Sequence, residues 1–142
     1  MKAYTPIIFF FAITCIPGFG CMNKTANVTS LTLYNTISED KNFGSYHLKD
    51  MGRYHKQTYN DQKVLDLIKS ARPSNELFLW KGYIVGAFSY KNKDTVLVKI
   101  SRYGGFFSIH NRVYIFNEEE ERSEWGGVID EFVDKSTRET LQ

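Results

Sequence analysis

The feature that most restricts this chain is a series of five short runs, 76–80, 83–90, 95–101, 106–110 and 113–117, rich in β-branched and aromatic residues. Each is separated from the next by a turn signal: Lys81-Gly82, the KNKD stretch 91–94, the RYGG stretch 102–105, and Asn111-Arg112. Runs this close together leave no room for crossover helices, so sequence neighbours pair antiparallel. A hairpin pairs residues whose numbers add to a constant, and paired residues share a face. Pairing Trp80 with Tyr83, Val85 with Ile100, Ile100 with Phe107, and Ile109 with Tyr114 gathers Phe78, Trp80, Tyr83, Val85, Ala87, Val96, Val98, Ile100, Phe107, Ile109, Tyr114 and Phe116 on one face. The expectation is a five-stranded antiparallel meander.

A helix should precede the meander. Asn60 or Asp61 can cap it, Val64, Leu65, Leu67, Ile68 and Ala71 lie mostly on one side, and Arg72-Pro73 ends it. Another should follow, because Trp125, Val128, Ile129, Phe132 and Val133 recur at helical spacing. Asn117 or Ser123 can cap this second helix, with Glu118 to Glu121 and Glu124 near the positive end of its dipole. Gly126-Gly127 weakens it by about 1 kcal/mol per glycine relative to alanine, so it depends on packing against the sheet. The fold class expected is α+β, with the amphipathic C-terminal helix on one sheet face. Residues 31–37, 43–48 and 53–59 look like short extended segments that could add to a sheet edge.

The start of the chain bears on compartment. Lys2 is followed by an uncharged apolar stretch and then by Pro17-Gly18-Phe19-Gly20 before Cys21, so residues 1–21 read as an export signal. The tetrapeptide Gly18-Phe19-Gly20-Cys21 resembles a bacterial lipobox, which implies lipidation at Cys21 and a membrane anchor there. Leu is common where Gly18 stands and a small residue where Phe19 stands, so plain secretion after an ordinary cut at Gly20 is the alternative. Residues 22–30 read as a flexible tether and 31–142 as a single domain. Asn23-Lys24-Thr25 and Asn27-Val28-Thr29 would be glycosylation acceptors in a eukaryotic source, though Asn and Thr are also ordinary tether residues. The chain has 142 residues, long enough for a core without staples, and only two cysteines, of which Cys15 lies in the leader. No internal disulfide is expected.

Charge is segregated. Residues 41–112 carry thirteen Lys or Arg against five acidic residues, whereas 113–142 carry three against nine. The basic middle is read as outward-facing strand residues partly neutralised by the acidic terminal helix. Export makes nucleic acid an unexpected partner, and a basic surface near a lipid anchor would attract anionic headgroups.

Motifs for chemistry are missing. His47, His55 and His110 lack the close ligand spacing of a zinc site, so no metal is expected. There is no GxSxG elbow, no phosphate-binding glycine loop and no other cofactor motif, and the consecutive glutamates 118–121 point in different directions around a helix. No catalytic residue is assigned. The opposite sheet face is expected to carry Ile84, Phe88, Tyr90, Leu97, Phe106, His110, Val113 and Ile115, too apolar for a fully wet face. Either residues 31–59 cover it or a partner does. The expected function is an exported, lipid-anchored or secreted, non-enzymatic module that binds another protein through that face or an exposed edge strand, in the manner of an inhibitor or immunity protein. The alternative is a small hydrolase or ligand carrier using His110, Tyr90 and Lys99.

Overall fold

The computed structural model describes residues 23–103 and 105–142. Residues 1–21, read as an export signal, and with them Cys21 lie outside the described residues. The described chain is α+β: strands β1 (Val28–Tyr34), β2 (Lys56–Tyr59), β3 (Arg72–Ser74), β4 (Tyr83–Tyr90), β5 (Thr95–Ser101), β6 (Phe106–Ile109) and β7 (Arg112–Ile115), with helices α1 (Gln62–Ser70) and α2 (Glu119–Thr140). The strands form one antiparallel sheet of seven, in the order β2-β1-β4-β5-β6-β7-β3. The meander therefore has four strands, β4 to β7, and not the expected five. Segment 76–80 is not a strand, while β1 inserts beside β4, β2 extends that edge and β3 closes the other.

β1 starts inside the stretch read as a tether. A turn in which the Ala26 N–H donates to Asn23 O at 3.0 Å leads into it, and Thr25 is fully buried. Leu31 and Leu33 of β1 face the same way as Phe88 and Gly86, their partners on β4. The cap of α1 is as expected, with Asp61 Oδ1 accepting from the Val64 N–H at 3.1 Å. α2 begins after Glu118, whose side chain makes no capping bond, and not at Asn117 or Ser123. Its first turn holds Glu119, Glu120 and Glu121, where negative charge meets the positive end of the helix dipole. Both helices lie on one sheet face. Val64, Leu67 and Ile68 of α1 and Trp125, Ile129, Phe132 and Val133 of α2 share a buried core with Leu31, Leu33, Ile84, Phe88, Val98, Ile100, Phe107, Ile109, Tyr114 and Phe116.

One hairpin overturns the expected face of β4. A two-residue turn at Asn92-Lys93 would place Val85 opposite Ile100, yet Ile100 lies opposite Ile84, and Phe88 opposite Val96. The connection is a three-residue loop. The Lys93 N–H donates to Tyr90 O at 2.9 Å, the Tyr90 N–H donates to Asp94 O at 2.9 Å, and Lys93 takes a left-handed φ of 70°. The Asn92 carboxamide oxygen accepts from the Asp94 N–H at 3.1 Å, fixing the extra residue. A slip of one residue exchanges the two faces of a strand. Ile84, Gly86, Phe88 and Tyr90 consequently face the helices, and Tyr83, Val85 and Ala87 face away. The β5–β6 register agrees with expectation, Ile100 opposite Phe107. The β6–β7 turn sits at His110-Asn111, with φ of 48° and 64° suiting a tight hairpin, so Tyr114 pairs with Phe107 and not Ile109; a slip of two leaves the faces unchanged.

Candidate functional site

The sheet face away from the helices presents Tyr34 from β1, Tyr83, Val85 and Ala87 from β4, Leu97 and Lys99 from β5, Phe106 and Ser108 from β6, and Val113 and Ile115 from β7. Two irregular segments cover it from opposite sides. The first is 43–54, which contains short 3-10 turns at Phe43–Ser45 and Leu48–Arg53. It lowers Met51, 1% exposed, onto Tyr34, Val85 and Ala87, with Tyr46 buried beside it and Phe43 edge-on to Tyr83 at 6.1 Å between ring centres. Glu39 ties this cover at its rim: its carboxylate accepts from the Tyr54 hydroxyl at 2.6 Å and the Tyr46 hydroxyl at 3.3 Å, and pairs with Lys41 at 2.9 Å. The Tyr54 hydrogen bond, followed by that of Lys41, holds the Glu39 carboxyl below its ordinary range. Burial pushes the Tyr46 hydroxyl well above its own.

The second cover is the connection 75–82, which we term the strap. It must pass from β3 at the sheet's edge, across β7, β6 and β5, to reach β4. Phe78 and Trp80 turn inward and each packs on Phe106 with ring centres 4.7 Å apart. Beneath them Lys99 Nζ stands 4.0 Å from the centre of the Trp80 ring and 4.9 Å from that of Tyr83. The rings stabilise the ammonium through their quadrupoles. Burial pulls the other way and lowers the Lys99 pKa from its ordinary value. The intervening residues of the strap point outward, Leu77 at 102% and Leu79 at 76% exposure. Among the described residues, no backbone hydrogen bond involves residues 77–81; the strap is tied at its end, where the Arg102 N–H donates to Gly82 O at 3.1 Å.

Of the eight residues expected on one binding face, Leu97, Phe106, Val113 and Ile115 lie there. Ile84 and Phe88 are fully buried beneath the helices, Tyr90 lies on that same helix side, and His110 sits exposed in the β6–β7 turn. Phe106 is itself buried, by the strap, while Leu97, Val113 and Ile115 are half-buried. Tyr90 and His110 do meet, in a cleft of about 640 Å³ at the end of the sheet, lined also by Lys24, Lys91, Asp94 and Val96. Lys24 Nζ donates to His110 Nδ1 at 3.0 Å, and burial pushes the Tyr90 hydroxyl up to about 12. Lys99 lies on the other face and does not join them.

Among the described residues no group of three or more His, Cys, Asp or Glu converges as a metal site would require, and no helix is long and apolar enough to cross a membrane. Comparison with protein-family models, with curated proteins and with solved structures finds no match. The chemistry of the surface therefore carries the functional argument. Leu77 and Leu79 were not singled out by the sequence reading, which placed them in a paired strand. The signal lay in the continuous apolar run 77–80 (LFLW), apolar on both sides, which is more than a strand with one wet face needs.

Proposed function

We propose that this chain is an exported, lipid-tethered, non-enzymatic binding module that engages a protein by strand addition along the strap. The observation that supports this reading is the pairing of two exposed leucines with a run of backbone donors and acceptors at 77–81 that, among the described residues, have no partner in the chain's own backbone. In strand addition the main chain supplies affinity and alternate side chains supply specificity. Phe78 and Trp80 hold the strap in place and leave that edge presented. Hydrogen exchange at residues 77–81 in cell envelopes tests the reading. Slow exchange that becomes fast on substituting Leu77→Ser together with Leu79→Ser is the expected result, and equally fast exchange in both chains sinks it.

The tether has its own test. In a bacterial host, Cys21→Ala should abolish labelling by a fatty-acid probe, since the thiol that accepts the lipid is gone; unchanged labelling removes the anchor. A ligand carrier is the second reading, supported by the cleft that joins Tyr90 and His110. His110 is bonded there to Lys24 and not to a carboxylate, which favours carriage over hydrolysis. Uptake of an apolar fluorescent probe that is lost on Val96→Lys would favour that reading over strand addition.

A further inference from the structure

The two ends of the sheet differ in charge. β1, β5 and β7 begin at one of them and β4 and β6 finish there, so segments 23–27, 91–94 and 110–112 gather at that end. They carry Lys24, Lys91, Lys93 and Arg112, all exposed, against a single acid, Asp94, whose carboxylate accepts from the Asn92 carboxamide at 2.8 Å. At the other end β1 runs out into Glu39 and Asp40 and β7 into Glu118 to Glu121, against Lys41 and Arg102. The basic end also holds the cleft of Tyr90 and His110. Lys24 and Lys91 line it, neither in an ion pair among the described residues, and Lys24 donates to the His110 imidazole instead of to a carboxylate. Half-buried Tyr90 and Val96 give the same cleft an apolar wall. Cations without counter-ions beside an apolar wall suit an amphipathic anion.

The cleft also lies where the chain leads back to Cys21. Asn23 is one of its lining residues, and two residues of chain reach at most about 7 Å. A lipid on Cys21 therefore keeps the cleft at the headgroup layer, which makes a membrane phospholipid the amphipathic anion within reach. We infer that this end of the sheet lies on an anionic lipid surface, where the cleft takes the phosphate of one phospholipid between Lys24 and Lys91 and its glycerol and first methylenes against Tyr90 and Val96. The inference rests on the reading of Cys21 as a lipid anchor and goes beyond it by fixing which way the tethered domain faces. Lys93 and Arg112 stand outside the cleft and meet neighbouring headgroups. Each cation held near an anionic leaflet is worth roughly fivefold in binding. Tyr90 suits the place, since an aromatic ring with a polar tip favours the boundary between headgroups and hydrocarbon. The acidic end points away from the membrane, repelled by the surface that attracts the other.

Lipid crosslinking with the full chain tests this. The chain is taken from host envelopes and placed in vesicles of phosphatidylcholine alone, or in vesicles where phosphatidylglycerol replaces a third of it. A photo-reactive amino acid at Asn27, an exposed residue of the cleft whose side chain makes no hydrogen bond among the described residues, should give an adduct with phosphatidylglycerol and at least tenfold less adduct in the neutral vesicles. The same group at Glu120, at the acidic end, should give none. Lys24→Glu with Lys91→Glu should reduce the phosphatidylglycerol adduct at least tenfold, with circular dichroism unchanged because both side chains are exposed. Equal adduct in both vesicles, or adduct unmoved by the two reversals, overturns the headgroup as occupant, and adduct at Glu120 overturns the orientation. A product with a protein, when the envelopes are irradiated before extraction, gives the cleft to that protein and overturns the lipid. Absence of adduct on a chain that carries the fatty-acid label at Cys21 overturns the inference and leaves the tether standing. An unlabelled chain that still gives the phosphatidylglycerol adduct sinks the tether alone, and an unlabelled chain that gives none sinks both.

Discussion

The two faces of the sheet are buried by different means. On one side two helices close a continuous core in which Trp125, Phe88, Phe107, Phe116 and Phe132 are all fully buried. Phe107 is its hub, with ring centres 5.4 Å from Phe88, 5.5 Å from Tyr114, 6.1 Å from Phe116 and 5.4 Å from Trp125. On the other side segment 43–54 buries a smaller cluster rich in tyrosine, with Tyr34, Tyr46, Tyr54 and Tyr83 beside Phe43, and the strap covers Phe106. Tyrosine suits a thin cover, because its ring can be dry while its hydroxyl reaches the rim, as with Tyr54 and Tyr46 on Glu39 and Tyr83 on the backbone oxygen of Lys41. Regular elements with interlocked aromatic rings fix the fold. Irregular covers hold less and leave groups over, which is where binding surfaces arise.

The contrast can be broken most forcefully at Phe107. Truncating it to alanine empties the centre of the helix-side core and should cost about 4 kcal/mol, measured by urea unfolding. A loss below about 1 kcal/mol would mean that the helices are not docked as described. Met51→Ala makes the matching void under the thinner cover and should cost less, about 2 to 3 kcal/mol. A cost equal to that of Phe107→Ala would erase the difference between the faces. Gly86→Ala sharpens the comparison from the backbone. A Cβ there would stand 2.6 Å from Ile100 Cδ1 and 3.1 Å from Val98 Cγ2, both fully buried on the helix side, and 3.3 Å from the Thr32 carbonyl oxygen of the neighbouring strand. Overpacking of this kind should lower stability by about 2 kcal/mol, and an unchanged melting temperature would show that the helix-side core is loose.

How much of this was legible depended on which backbone angles the side chains announce. The helices were legible because apolar spacing and the Asp61 cap are local properties. The β5–β6 register was legible too. The β4–β5 register was not, for its deciding residue is Lys93 at a φ of 70°, and lysine in the left-handed region carries no compositional mark as glycine or asparagine would. One hidden angle therefore turned a whole strand over and sent Ile84, Phe88 and Tyr90 to the helix side of the sheet. β2 falls at the end of the extended segment 53–59, at a sheet edge as expected, whereas β3 escaped notice because RPS is short and polar and follows directly on a helix stop, and such runs read as loops. For the candidate site, the apolar run at 77–80 was visible in the sequence. That its backbone would find no partner depends on where β1 inserts, and β1 occupies the place beside β4 that the strap would have taken.

The smallest expected effect separates the two sides of the strap itself. Leu77 and Leu79 bury nothing in the single chain, so Leu77→Ser and Leu79→Ser should each change stability by less than about 0.5 kcal/mol. Their neighbours behave otherwise. Trp80 packs on Phe106 and shelters the Lys99 ammonium, so Trp80→Ala removes a ring contact and a cation–π contact together and should cost about 2 kcal/mol. Denaturant unfolding of the four single-residue series from Leu77 to Trp80 should therefore alternate, small then large, with the period of a strand. A uniform loss at all four positions would place the leucines in the core and close the strap to any partner. A uniform absence of loss would detach the strap from Phe106, leaving no rigid edge for another strand to meet. The alternation alone is compatible with a segment anchored by one row of side chains and offered to solvent by the other.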